Sequence, residues 1–334
     1  METTRKISLK GEITLNSGVQ IKDLQATYTL TTNAELNYQK VIWVFHPLTA
    51  SSENSDWWPK TSAYLSEAYP LHTQVCVNAL GSSYGSSAPD QEFWDLTIAD
   101  QVQFFQLVAR ELGIHQVDLG IGGSLGGQQL IQWIAQDPAF FNSAVLVATN
   151  AKHSPWGKAF NASQRHAILQ DSDPQLKEGL ALAREIAMLS YRTPLMYNLT
   201  QQDDVPGKEI SRAESYQKYQ GQKLQERFDA YSYFALTKAM DSQAVLDNDL
   251  LVSNLAAFQG EVLAVGITTD HLFPAEEQVQ LYELFGNASY AEMDSPFGHD
   301  AFLAEEDKLV DILKAWNKQV NPIKTPYPIH NEAV

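Results

Sequence analysis

Four stretches of this chain are apolar without the alternation of a half-exposed strand. Val41-Ile42-Trp43-Val44-Phe45 is the clearest, and Gln74–Val77, Val117–Ile121 and Ser143–Ala148 repeat the pattern. A strand that is apolar on both sides belongs inside a parallel sheet covered by helices on each face. The intervening segments have helical spacing. Asp95–Leu112 places Leu96, Ile98, Val102, Phe105, Leu107, Val108 and Leu112 on one stripe, and Gly113 supplies a stop. Leu125–Ala135 predicts a second helix. Strand and helix alternate from 74 to 148, which predicts a mostly parallel, doubly wound sheet of α/β class.

The flanks differ. Lys6–Leu15 and Asp23–Leu30 read as short strands about the turn Asn16-Ser17-Gly18. From 155 to 255 the apolar positions scatter, Gln, Glu, Lys and Arg are frequent, and no strong buried strand intervenes. Helices are predicted over 157–169, 175–192 and 209–226, forming a helical lid inserted into the sheet domain. The alternation returns with a strand at Glu261–Ile267, a helix at Pro274–Leu284, a strand at Tyr290–Met293 and a closing helix at Asp300–Gln319. The expected organisation is therefore a core of 1–154 plus 256–334, with a lid at 155–255. Asn321–Val334, with three prolines, reads as a loop or arm.

The sharpest chemical signal lies between the third buried strand and the second helix: Gly122-Gly123-Ser124-Leu125-Gly126-Gly127. It contains G-x-S-x-G at a strand-to-helix junction, where a strained turn exposes a serine hydroxyl at a helix N-terminus. A phosphate-binding loop is the competing reading, but the Lys-Ser/Thr of a P-loop and the dinucleotide spacing are both missing. Ser124 is thus the expected nucleophile, and the context predicts the α/β-hydrolase fold. In that fold the acid and then the histidine follow the serine in chain order. Asp270 leads off the strand ending at Ile267, and His299 sits in the loop after the last strand. Asp294 and Asp300 are the fallback acids. The N–H of Leu125 is the expected oxyanion donor from the elbow. A second should come from the loop His46-Pro47-Leu48-Thr49. Pro47 has no N–H, so Leu48 is the candidate, with an ordinary tight turn as the alternative. Trp57-Trp58 either line a pocket mouth or pack beneath a lid.

Composition narrows the classes. With 23 Lys plus Arg against 40 Asp plus Glu, the formal charge is −17. Nucleic acid and anionic membrane are disfavoured partners, and any anionic ligand needs a local basic pocket. Cys76 is the single cysteine and lies in an apolar run, so it is expected to be a buried strand residue and no internal disulfide can form. No metal-ligand spacing is present, and no apolar stretch approaches the ~18 residues of a membrane span. A cytoplasmic setting is the expectation.

Several segments together resemble the homoserine O-acetyltransferase family. His46-Pro47-Leu48-Thr49-Ala50 looks like its H-A-L-T-G. Asn78-Ala79-Leu80-Gly81 with Gly85-Ser86-Ser87-Ala88-Pro89 is similar to N-x-L-G…G-S-x-x-P. Gly122–Gly127 resembles G-G-S-M-G-G, Arg227–Tyr233 resembles R-F-D-A-N-S-Y, and Gly298–Leu303 completes the set. Phe160–Arg165, Glu178–Arg184 and Leu189–Arg192 look like lid segments. The resemblance spans roughly 10 to 320. It implies ping-pong acyl transfer from acetyl-CoA, as co-substrate with no bound cofactor, to homoserine. It also implies that Arg165 faces the substrate carboxylate, that Asp300 faces its ammonium, and that two copies pair as a homodimer. Read without it, Arg165 is a surface helix residue and Asp300 a helix N-cap. Departures cluster at the lid and pocket: Tyr231 stands where the family has Asn, Asp241-Ser242-Gln243 replaces its Asp-x-His-Asp region, and Asp171-Ser172-Asp173-Pro174 lacks the usual Gly-Asp-Tyr. A succinyl donor, a serine acceptor, or an esterase or thioesterase using water are the alternatives, and a non-enzymatic binding module is the remotest.

Overall fold

A computed structural model describes residues 2–203 and 209–320. The arm expected at 321–334 lies outside the described residues. Eight strands form one sheet: β1 (Glu2–Ser8), β2 (Gln25–Thr31), β3 (Val41–Phe45), β4 (Thr73–Val77), β5 (Leu119–Gly123), β6 (Ser143–Val147), β7 (Glu261–Ile267) and β8 (Ala288–Met293). Their spatial order is β1-β2-β4-β3-β5-β6-β7-β8. The first three are joined antiparallel and every later pairing is parallel. The strand expected at Lys6–Leu15 is broken: β1 ends at Ser8, Gly11 takes φ 128°, and Ile13–Thr14 pairs separately with Gln20–Ile21.

The apolar runs are buried on both faces, as their composition requires. Val41, Trp43 and Phe45 of β3 enter one core layer, while Ile42 and Val44 enter the layer across the sheet. On the first side Trp43 meets Trp133 edge-on at 5.2 Å, beneath the helices Ile98–Glu111 and Leu125–Gln136. The first of these helices starts where its sequence dictates. Thr97 accepts from the Asp100 N–H at 3.1 Å and Asp100 accepts from the Thr97 N–H at 2.8 Å, a reciprocal cap.

The helical segment runs Pro155–Leu169, Lys177–Tyr191, Pro194–Thr200, Arg212–Gln225 and Ala230–Asp241. Pro155–Leu169 packs against Lys177–Tyr191, which packs against Arg212–Gln225, while Ala230–Asp241 lies against the first. The last helix before β7, Asp249–Ala256, packs on Leu125–Gln136. Several helices lie outside those the apolar pattern predicted, the two longest being Ala230–Asp241 and Pro59–Ala68. Ala230–Asp241 is buried on most sides and has no stripe, and Pro59–Ala68 buries Thr61 and Ser62 beside Leu65. The start of Pro59–Ala68 is held from afar: Glu306 Oε2 accepts from the Lys60 and Thr61 N–H groups, each at 3.0 Å. Among the described residues no helix is long and apolar enough to cross a membrane.

Candidate active site

Ser124 stands between β5 and the helix Leu125–Gln136 at φ 55° and ψ −124°. A positive φ is costly for a residue with a side chain, so the surroundings must hold it. They do: its N–H donates to the Val147 carbonyl at 3.0 Å, and its carbonyl accepts from Thr149 Oγ1 at 2.8 Å. The flanking glycines make the turn possible. A Cβ on Gly126 would stand 2.3 Å from the Phe45 carbonyl oxygen, and one on Gly122 would stand 2.6 Å from the Gly126 backbone. Helix and strands therefore close on each other around the serine hydroxyl.

His299 lies on the single turn Gly298–Asp300 after β8, and Asp270 in the loop after β7. His299 Nε2 is 2.9 Å from Ser124 Oγ, and His299 Nδ1 is 2.7 Å from Asp270 Oδ2. Asp270 Oδ1 accepts from the N–H groups of Leu272 at 2.8 Å and Phe273 at 2.9 Å, so both carboxylate oxygens are committed. The Phe273 ring stacks on the imidazole at 5.0 Å. All three triad side chains are buried. With Nδ1–H given to the carboxylate, Nε2 is free to take the serine proton. The fallback acids have other partners: Asp294 accepts from Thr268 Oγ1 at 3.2 Å, and Asp300 pairs with Arg192 Nε at 2.9 Å.

A cavity of about 530 Å³ opens over Ser124 and His299. Leu48, Asp300, Tyr191 and Trp57 border it, so Trp57 faces the mouth while Trp58 is buried and donates Nε1–H to the Phe302 carbonyl at 2.8 Å. Three cations, Arg184, Lys223 and Arg227, share the cavity lining with three carboxylates, Glu53, Asp56 and Asp300. Arg184 lies over the Tyr191 ring at 5.2 Å, and among the described residues it has no carboxylate partner. Arg227 donates to Tyr84 Oη at 2.6 Å and to Thr49 Oγ1 at 3.2 Å.

Arg165 does not border this cavity. Its Nη2 donates to Asp241 Oδ2 at 2.5 Å, its guanidinium lies 5.8 Å from the Phe234 ring centre, and its buried Nη1 has no hydrogen bond among the described residues. The expectation that Arg165 faces the pocket thus meets a different geometry. Its helix turns the residue toward Ala230–Asp241, while Arg184, one helix further on, turns into the cavity. In the sequence Arg184 stands out only as the end of the lid-like segment Glu178–Arg184. His153, which no motif in the sequence singles out, is 1% exposed. Burial lowers its pKa to about 4. His153 stands 3.3 Å from Gln128 Nε2 and 3.2 Å from Asn161 Nδ2, in a polar layer behind Phe273. In the same layer Asn150 donates to Glu277 at 2.8 Å, and burial raises the Glu277 carboxyl to about 7. Cys76 is buried in β4 and burial pushes its thiol pKa up. No cluster of three metal-ligating side chains exists among the described residues.

A family model described as alpha/beta hydrolase fold matches residues 40–306. The homoserine O-acetyltransferase of Cyclobacterium marinum is 35% identical over 347 residues, covering 96% of this chain and 97% of that relative. This chain belongs to the homoserine O-acetyltransferase family. Like its relatives it is an enzyme on an α/β-hydrolase sheet. The homoserine O-acetyltransferase of Chloroherpeton thalassium is 33% identical over 343 residues, covering 96% of this chain and 91% of the relative. Among solved structures, that from Staphylococcus aureus superimposes with a TM-score of 0.79 at 26% identity and 98% coverage of both chains. Esterase E22 gives a TM-score of 0.82 at 16% identity, with 95% of this chain and 100% of that one covered, a likeness of fold alone. For the homoserine O-acetyltransferase family member described here, the residues that differ most from expectation lie on the lid side of the pocket, not in the hydrogen-bonded trio beneath it.

Proposed function

We propose that this enzyme transfers acetyl from acetyl-CoA to the hydroxyl of L-homoserine through an acetyl-Ser124 intermediate. Ser124 Oγ attacks the thioester carbonyl as His299 Nε2 takes its proton, and Asp270 steadies the imidazolium. The N–H groups of Leu48 and Leu125 receive the negative charge that develops on the carbonyl oxygen. The C–S bond breaks, His299 protonates the departing thiolate, and CoA leaves. His299 then deprotonates the homoserine hydroxyl, which attacks the acetyl-serine carbonyl. Collapse releases O-acetylhomoserine and returns the proton to Ser124.

The observation that carries this reading is a charged pair beside Ser124: Arg184, which has no carboxylate partner among the described residues, and Asp300, both bordering the cavity that holds Ser124. An amino-acid acceptor needs one cation for its carboxylate and one anion for its ammonium. We assign these roles to Arg184 and Asp300, with Asp300 oriented by Arg192. Arg165 is then a structural partner of Asp241. Lys223 and Arg227 at the mouth suit the phosphates of CoA, in a chain that is otherwise strongly acidic. Leu182, Leu189, Leu195, Leu199, Ile210 and Tyr219 are exposed on the helical segment and are the side chains that pairing of two copies would cover. A cytoplasmic location fits the soluble substrates.

Incubation with acetyl-CoA, with and without homoserine, followed by intact-mass spectrometry is the test. The expected result is a stable acetyl adduct on Ser124 that homoserine discharges. CoA release that ignores homoserine would instead mean that water is the acceptor. Succinyl-CoA and serine run in parallel fix donor and acceptor.

A further inference from the structure

His46 takes no part in the triad, yet it is 1% exposed and fully hydrogen-bonded at the entrance to the loop that carries Leu48. Its Nε2 accepts from the Ala79 N–H at 2.9 Å. A nitrogen that accepts carries no proton, so the ring's hydrogen is on Nδ1. Nδ1–H therefore donates to the Pro47 carbonyl, 2.9 Å away. Ala79 belongs to the segment after β4, so the loop after β3 is tied to its neighbouring strand through one imidazole. Burial lowers the pKa of His46 to about 4, so the ring is neutral and single in tautomer through the physiological range.

The Pro47–Leu48 peptide is trans, as are all peptides among the described residues. In a trans peptide the C=O and the following N–H point in opposite directions. Whatever fixes the Pro47 carbonyl therefore fixes the Leu48 N–H. The carbonyl faces the His46 ring, so the Leu48 N–H faces the other way, and Leu48 borders the cavity above Ser124. Ser52 N–H to Asn78 Oδ1 at 2.7 Å and Arg227 to Thr49 Oγ1 at 3.2 Å also hold this loop, but neither acts on that peptide unit. The Ala50 N–H does, at 3.0 Å from the Pro47 oxygen, as a second constraint made within the loop itself.

We propose that His46 is a positioning residue for acyl transfer: its Nδ1–H holds the Pro47 carbonyl and thereby aims the Leu48 N–H at the oxyanion. This rests on the acyl-serine reading above, and the test separates the two. Ser124 acetylation by p-nitrophenyl acetate is followed in stopped flow, and inhibition by a small alkyl trifluoromethyl ketone, whose adduct carries the oxyanion, is measured alongside. His46→Ala is expected to slow acetylation about 10²-fold, the lower end of what one lost oxyanion donor costs because the Ala50 bond persists. The inhibition constant should rise in parallel while the homoserine dissociation constant holds. His46→Asn keeps a donor at the Nδ1 position and should recover most of the rate. His46→Gln keeps only the acceptor toward Ala79 and should not. Acetylation of His46→Ala at the wild-type rate, or recovery by Gln rather than Asn, would overturn the proposal. A wild-type enzyme that forms no acetyl-serine would overturn the acyl-serine reading instead. Should the variants not fold, ¹⁵N NMR of the wild-type imidazole decides: protonated Nδ1 is expected, and protonated Nε2 would refute the assignment.

Discussion

Two arginines one helix apart allow a test of the acceptor site that does not depend on the nucleophile. Arg184→Leu keeps a side chain over Tyr191 and removes only the guanidinium. A charge-assisted hydrogen bond contributes roughly 1.5–3 kcal/mol, and a paired carboxylate engages two N–H groups, so a loss of about 3 kcal/mol is reasonable. At 1.4 kcal/mol per decade that is a fall of about 10²-fold in kcat/KM for homoserine. Acetylation of Ser124 by acetyl-CoA, measured without acceptor, should change by much less, because the carboxylate belongs to the second substrate. Arg165→Leu should behave oppositely. Its partner Asp241 is 18% exposed, so an uncompensated carboxylate costs less than the ~3–5 kcal/mol of a fully buried one, about 2–3 kcal/mol. A melting temperature lower by roughly 3–4 °C with near-normal homoserine kinetics is expected for a chain of 334 residues. CoA release against homoserine concentration, with a thermal melt on each variant, reads both. Unchanged homoserine kcat/KM in Arg184→Leu, or a homoserine-specific defect in a thermally normal Arg165→Leu, would refute the assignment.

Other changes have equally definite outcomes. Asp270→Asn presents an amide where Oδ1 accepts two N–H groups and Oδ2 accepts His299, and should lower kcat by about 10³–10⁴-fold in steady-state assays. Gly126→Ala drives a Cβ into the Phe45 carbonyl and should abolish Ser124 labelling by a phosphonate or leave the protein insoluble, as read by mass spectrometry and yield. Because the folded Glu277 carboxyl titrates near 7, above its ordinary 4.5, the folded state holds more protons in that window, so this group's contribution to stability falls as pH rises through it. His46 and His153, depressed to about 4, contribute the opposite slope between there and 6.5. Glu277→Gln should therefore gain on wild type in denaturant midpoint as pH rises from 5 to 8. Leu189→Asp with Leu199→Asp should shift sedimentation toward the monomer if those residues, 59% and 65% exposed, meet a second copy.

The sheet was legible because its central strands are apolar on both faces, a pattern nothing else in the chain imitates. The order Ser124, Asp270, His299 was legible for a related reason: each follows one of those strands, and the fold orders acid and base along the chain. Ala230–Asp241 was not, because a helix enclosed on most sides loses its stripe. Pro59–Ala68 was not, because the carboxylate holding its first turn comes from residue 306. Arg165 and Arg184 both stand within predicted helices. Which one reaches the cavity depends on how the two helices cross, a tertiary fact. His46 and His153 illustrate the same limit: a histidine whose partners are backbone groups or distant amides leaves no local mark.

The helical segment leaves the sheet after β6 and re-enters at β7, and those two strands are hydrogen-bonded neighbours. Its final helix, Asp249–Ala256, already lies against the helix that follows Ser124. That helix alone suffices for the crossover that parallel neighbours require. The roughly ninety residues ahead of it are thus topologically dispensable. One could excise them with a short splice and leave serine, acid and base on an unbroken frame. Molecular evolution could likewise exchange the roof, and with it the choice of acceptor, without disturbing the floor.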